Sequence, residues 1–254
     1  MALPSLISTP LDLRTLVPGL MNVDGQWVVP IQTINDFIFK SDGMIRSELR
    51  EIYGSDLTCT TPYAGVPWWE ADSLGAGGAV LYYGTASSSA VSEAWTLTFL
   101  SATTFSFKGT SSGSAQGTAG STGADSASTN SRLTIPTLAW DISTPPIAGN
   151  QYYIATYNYE STLVELSSLL AASKLMDSVY GEEVPNASSD EADRCYSKYR
   201  RLMERLTDPD GQATLEIGRA TYNTSPMLLA GGIQEVDDAG NFTTDYQDDE
   251  GFDH

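Results

Sequence analysis

Three stretches carry apolar residues at helical spacing. Ile31, Ile34, Phe37, Ile38, Ile45, Leu49 and Ile52 recur at intervals of three, four and seven, which predicts a helix from about Ile31 to Tyr53. Pro30 suits a first turn, Gly43 marks a bend, and Gly54 is a stop signal. A second helix is predicted where Leu163, Leu166, Leu169, Leu170, Met176 and Val179 form an apolar face ending near Gly181. Thr162 and Glu165 have capping-box spacing there, a coincidence if the helix starts earlier. The third is the clearest: Ser188 and Glu191 read as a capping box, and Ala192, Cys195, Tyr196, Tyr199, Leu202, Met203 and Leu206 share one stripe. Asp208-Pro209-Asp210-Gly211 ends it as a turn, since the later acidic positions of a calcium loop are missing.

Between these helices the period changes to two. Trp95, Leu97 and Phe99 alternate with threonines, and Phe105 and Phe107 flank Ser106, so WTLTFLSATTFSFKG predicts a hairpin with one apolar face. Further strands are expected near 77–84, 133–142 and 151–157, with Pro136 confining its strand to an edge or bulge. The run from 110 to 131 holds no apolar side chain larger than alanine and reads as a long hairpin loop or as an ordered arm on a partner. The expected fold is α+β. The N-terminal and C-terminal parts form a helical bundle, an antiparallel β sandwich or barrel is inserted, and an extended acidic tail follows. The divisions are 1–56, arm and first helix; 57–157, β insertion with the Ser/Gly-rich loop 110–131; 158–224, the remaining helices; and 225–254, the tail.

Charge sharpens that division. Thirteen Lys and Arg against 32 Asp and Glu leave a net charge of −19 over 254 residues, and the last 48 residues, with 11 acids and one base, hold −10 of it. Such a chain repels polyanions, which argues against gripping DNA or RNA directly. Arg194, Lys198, Arg200, Arg201 and Arg205 lie off the apolar stripe of the third helix. They read either as a solvated face or as a contact surface for an acidic neighbour, such as another copy of the chain, with Arg194, Lys198, Arg201 and Arg205 as subunit-contact residues. In the tail, Phe242, Tyr246 and Phe252 punctuate the acids; such a tail is disordered in isolation, or orders on a partner's groove through its aromatics.

Candidate chemistry is thin. The one histidine, His254, is the last residue, which counts against a Ser-His-Asp triad or a His-ligated metal. Cys59 and Cys195 lie far apart, show no metal-ligand spacing and are expected as two buried free thiols. No phosphate-binding glycine motif occurs, so no nucleotide cofactor is expected. Neither a signal peptide nor a long apolar span is found, and the expected protein is soluble, cytoplasmic and without a membrane contact. Glu70 beside Trp68 and Trp69 resembles a sugar site, or else a Trp-anchored domain junction. With Tyr82 and Tyr83, the two tryptophans define an alternative reading as a carbohydrate or surface-binding module, and a glycan hydrolase is a further one.

The order of parts resembles the head-to-tail adaptor (head-completion, connector or neck) proteins of tailed bacteriophages. IQTINDFIFKSDGMIRSELREIYG is similar to the family's early helix, and STLVELSSLLAASKLMDSVYG with SSDEADRCYSKYRRLMERLTDPDG is similar to its later pair. WTLTFLSATTFSFKG, LTIPTLAW and TPPIAGNQYYI resemble β modules of phage structural proteins. The resemblance implies a non-enzymatic virion protein at the head-tail junction, made in the host cytoplasm and forming a homo-oligomeric ring of about twelve copies. It implies contacts with the portal and with a downstream neck or tail protein, and a channel that passes DNA without binding it specifically. Phe242, Tyr246 and Phe252 are then the expected contacts of the tail with the portal. No metal or cofactor is implied.

Overall fold

The computed structural model describes residues 6–208, except 18, 23–25, 70–77, 111–112, 115–119, 129 and 181–186, together with Leu215. It is a mixed α+β structure whose strand pairs are all antiparallel among the described residues.

A short helix, α1 (Pro10–Arg14), precedes the long α2 (Ile31–Tyr53). The predicted bend does not occur, because α2 runs unbroken through Gly43. It ends where predicted, at Gly54, whose φ of 86° favours glycine and whose N–H reaches Arg50 O at 3.0 Å. Among the described residues eleven strands follow, beginning with β1 (Thr58–Ala64), β2 (Val80–Leu81), β3 (Thr85–Ala86), β4 (Glu93–Phe99), β5 (Thr104–Gly109) and β6 (Gly113–Ser114). The rest are β7 (Gly120–Ser121), β8 (Ser126–Ala127), β9 (Leu133–Ile135), β10 (Trp140–Asp141) and β11 (Gln151–Tyr159). The last described elements are α3 (Ser161–Leu175), one wider turn at Met176–Tyr180, and α4 (Ala187–Thr207).

The main sheet has the order β1-β11-β4-β5-β6, with β7 also on β5; β10 pairs β2, and β9 lies between β3 and β8. The predicted hairpin is β4–β5, with Leu97 opposite Phe107 and Phe99 opposite Phe105. Pro136 does more than confine a strand. It lacks the N–H that a ladder requires, so the 133–142 stretch divides into β9 and β10, in different sheets, across a single turn of tight helix. The 110–131 run is not one loop, since Gly120–Ser121 pairs with β5 and Ser126–Ala127 with β9. Its small residues let backbone approach backbone, and hydroxyls add bonds: Ser126 Oγ accepts from Ser121 N at 2.8 Å and Ser128 Oγ from Leu133 N at 3.2 Å.

Two cores result, and β11 serves both. Its Tyr152 and Ile154 join Trp95, Leu97, Phe99, Phe105 and Phe107, with Leu81, Leu133, Ile135 and Trp140 from the small sheets, in an aromatic core. The Trp140 and Tyr152 rings meet edge to face at 5.3 Å, and the Tyr152 hydroxyl donates to Ala79 O at 2.7 Å. Ala155, Tyr157 and Tyr159, on the opposite face, join the helices in the second core. Helix α3 packs against both α2 and α4. The expected single apolar face of α3 is therefore a correction: Leu163, Leu166, Ser168, Leu169, Ala171 and Ala172 are all buried and lie around nearly its whole circumference, as a central helix requires. Neither predicted cap residue precedes its helix, and Thr162 is the second residue of α3. Glu160 precedes α3 without capping it, and Ser188 already lies inside α4. Two burial expectations also fail. Tyr196, about 60° from the centre of the α4 stripe, is 45% exposed, and Cys59, on edge strand β1, is half-buried, while Cys195 is buried. Leu215, beyond α4, is buried in the helical core.

Glycine substitutions should separate the two kinds of glycine. A Cβ at exposed Gly43 would meet nothing within 4 Å, so Gly43→Ala should stabilise by about 0.5–1 kcal/mol through helix propensity. A Cβ at Gly120 would enter the Phe105 ring, itself held by Phe99, Phe107 and Trp140, so Gly120→Ala should cost about 1–3 kcal/mol. Chemical denaturation of the two variants reads both signs.

Candidate partner-binding site

A surface groove of about 440 Å³ lies between α1, the segment 65–68, one face of β11 and the packed pair α3 and α4. Its first wall is set by a local pattern in the sequence. Pro10 opens α1, and Asp12, three residues after Thr9, folds back to accept from Thr9 N at 2.7 Å and Thr9 Oγ1 at 2.9 Å. The Tyr157 hydroxyl donates to the other Asp12 oxygen at 2.5 Å. Burial pushes the Asp12 carboxyl up, and the bonds from Tyr157 and Thr9 oppose this. Burial and the neighbouring carboxylate push the Tyr157 phenol far above its ordinary range, so it stays a proton donor.

The floor is aromatic. Trp68 exchanges both backbone hydrogen bonds with Tyr153 at 2.8 Å, and their rings lie 4.9 Å apart. The Arg14 guanidinium sits over the Trp68 ring, 3.5 Å from its centre. Leu11, Leu16 and Val66, the last 90% exposed, give the groove an apolar lip. On the far side Lys198 of α4 reaches the rim, beside Glu165 of α3.

Lys198 is one of a row. At 3.6 residues per turn, Arg194, Lys198, Arg201 and Arg205 fall within about 60° of each other around α4 and extend over about 16 Å. All four are exposed. Arg194 bonds Glu191 at 2.5 Å, whereas Lys198, Arg201 and Arg205 have no ion-pair partner among the described residues. The structure thus brings these four predicted residues together. Phe242, Tyr246 and Phe252 lie outside the described residues, as does Glu70.

The proposed stacking platform is not assembled. Trp68 and Trp69, being consecutive, face opposite sides of β11: Trp68 stacks on Tyr153, and Trp69 on Tyr152, 5.8 Å away, at the aromatic core. Tyr82 and Tyr83 are exposed, near the equally exposed Leu138 and Ile142 at the β2–β10 pair. A second groove, of about 470 Å³, is lined by Trp27, Asn35, Thr96, Thr98, Lys108 and Gln151 among others and holds no acid-base pair. Among the described residues no group of three or more His, Cys, Asp or Glu is placed to hold a metal ion, and no helix is long and apolar enough to cross a membrane.

Sequence reading missed α1 and its groove. The signal was present in Thr9-Pro10-Leu11-Asp12, a helix-start pattern too short to show periodicity. It also missed what anchors α1. Asp42, on α2, is 3% exposed and accepts from Ile7 N at 2.8 Å and Ser167 Oγ at 2.5 Å. Ser8 shares a hydrogen bond with Ser167 at 2.7 Å, and Ser92 Oγ donates to Ile7 O at 3.0 Å. This buried knot ties the segment before α1 to α2, α3 and the start of β4.

No protein-family model and no curated protein sequence matches the chain. Among solved structures, two crystal forms of Xanthomonas campestris FlgL superpose. One has a TM-score of 0.28 and 12% identity over 59% of this chain and 53% of that one. The other has a TM-score of 0.27 and 16% identity over 59% and 46%. The chain thus spans about half the length of the solved chains it matches, and superposition of this quality defines neither a shared fold nor a shared function.

The Asp42 knot makes a pH prediction. Burial pushes its carboxyl up to about 6, against hydrogen bonds from Ser167 and Ile7 and the charge of Arg46 that lower it. The folded state therefore holds this proton more tightly than the unfolded chain. Stability is greatest below about pH 4 and falls as pH rises through 6, by up to about 3 kcal/mol from this group. Asn at this position keeps an acceptor for Ile7 and cannot ionise. Measured by urea denaturation, Asp42→Asn should gain stability relative to wild type between pH 4 and pH 7.5; a difference independent of pH would refute the assignment.

Proposed function

We infer that the protein is a virion structural component of a tailed bacteriophage: an adaptor that joins the portal to the tail or neck as a homo-oligomeric ring around the DNA path. The observation that carries this reading is the meeting of α2, α3 and α4. The three segments that resemble the adaptor helices come from both ends of the chain and contribute to one core, with the β region inserted between them. In this reading the three form the adaptor's helical bundle, and the β insertion projects from it.

Charge supports the same reading. A wall bearing a net −19 per subunit repels the duplex and leaves it hydrated and free to slide, so the acidity becomes a working property of a DNA channel. Five of the 13 cationic residues are gathered on α4, and in this reading they bind acidic protein segments and leave few cations to hold the duplex. The place of action is the head-tail junction, the partners are the portal and the next neck or tail protein, and no bond-making step is assigned to the chain.

The test is imaging of the purified chain mixed with the portal ring encoded beside it. The expected result is a second ring coaxial with the portal. An absence of portal binding, together with saturable turnover of any small compound, would overturn the reading.

A further inference from the structure

The groove and the row of cations beside it have a chemistry that the fold does not use. Lys198, Arg201 and Arg205 stand exposed without an ion-pair partner among the described residues, in a chain with an excess of 19 acids. Beside Lys198 lies an open groove with an aromatic floor at Trp68 and an apolar lip at Leu11 and Val66. An aligned row of cations next to an aromatic-floored groove recognises an extended acidic peptide that carries aromatic side chains.

One segment of this chain has that chemistry. Residues 233–254 hold eight Asp and Glu and no Lys or Arg, with Phe242, Tyr246 and Phe252 spaced among the acids. The segment can also reach. Leu215 is fixed in the helical core, 18 residues before Ile233, a span of up to about 60 Å when extended, against about 31 Å for the whole of α4. We propose that the C-terminal segment 233–254 docks on the α4 row, its carboxylates on Arg194, Lys198, Arg201 and Arg205 and an aromatic ring in the groove against Trp68. This gives the tail a destination on this protein, where the family resemblance implies the portal, and it holds whether or not the protein is an adaptor.

Lysine is scarce enough to make the test sharp, because the chain has only Lys40, Lys108, Lys174 and Lys198. Carbodiimide coupling of the full-length chain joins carboxylates to lysines in direct contact, and peptide mapping locates the joints. The tail acids Asp245, Asp248, Asp249 and Glu250 should couple to Lys198 about fivefold more than to the other three lysines combined. That yield should fall about fivefold in about 0.5 M NaCl, where screening shortens the reach of the charges. It should fall similarly in the Arg194→Glu, Arg201→Glu double variant, which keeps Lys198 and alters only exposed side chains; an unchanged thermal midpoint verifies its fold. Mixing light and 15N-labelled chains identifies the source: joints within one copy are expected, and joints formed mainly between labelled and unlabelled copies would overturn the proposal. Coupling spread evenly over the four lysines, or insensitive to the charge reversal, would overturn it.

Discussion

The rest of the structure depends on the alternation of side chains along β11. A strand presents successive residues to opposite faces, and here both faces are buried by different partners. Tyr152 and Ile154 fill the aromatic core, while Ala155, Tyr157 and Tyr159 close the helical one. Thr156 falls on the aromatic side, where its hydroxyl accepts from Trp95 Nε1 at 3.1 Å and donates to Val91 O at 2.8 Å, so this buried polar residue is satisfied. A register slip of one residue would exchange the two sets of side chains between the cores and strand that hydroxyl.

Because only Glu160 separates β11 from α3, the strand also fixes where the central helix begins. Tyr159 adds a second tie: its ring lies 5.0 Å from the Arg46 guanidinium of α2, and its hydroxyl accepts from Arg46 at 2.7 Å. With α3 buried on nearly all sides, α4 has one packing stripe left to use, Ala192, Cys195, Tyr199, Met203 and Leu206. Tyr199 and Tyr53 lock that rotation, Tyr199 donating to Glu48 at 3.1 Å and Tyr53 to Leu206 O, also at 3.1 Å. The cationic row points outward, beside the groove, as the remainder of this chain of constraints. Its four residues are positioned by packing on the opposite side of their helix.

The sequence was most legible where a period was long. The 31–53 and 188–206 patterns fall on α2 and α4 to within a residue or two, and the Trp95 to Phe107 alternation is the β4–β5 hairpin. Burial on two sides erased the signal elsewhere. Helix α3 is nearly uniformly apolar or small, so a single-face pattern was read into Leu163 and its neighbours that the packing does not respect. Polar residues hid burial as well: Ser41 and Asp42, beside Gly43 in α2, are both buried. Of the candidate surface, the α4 cations were visible as a group because they lie together off an apolar stripe. Asp12 and Tyr157 were not, since their hydrogen bond spans 145 positions and no local pattern encodes it.

If β11 truly joins the two cores, neither can open without the other. Native-state hydrogen exchange in increasing denaturant, read on peptides from β4, β11 and α3, tests this directly. The account predicts that all three merge into one opening reaction with the same free energy and the same denaturant dependence. Exchange of α3 through a separate, lower-energy opening while β4 and β11 stay protected would contradict it.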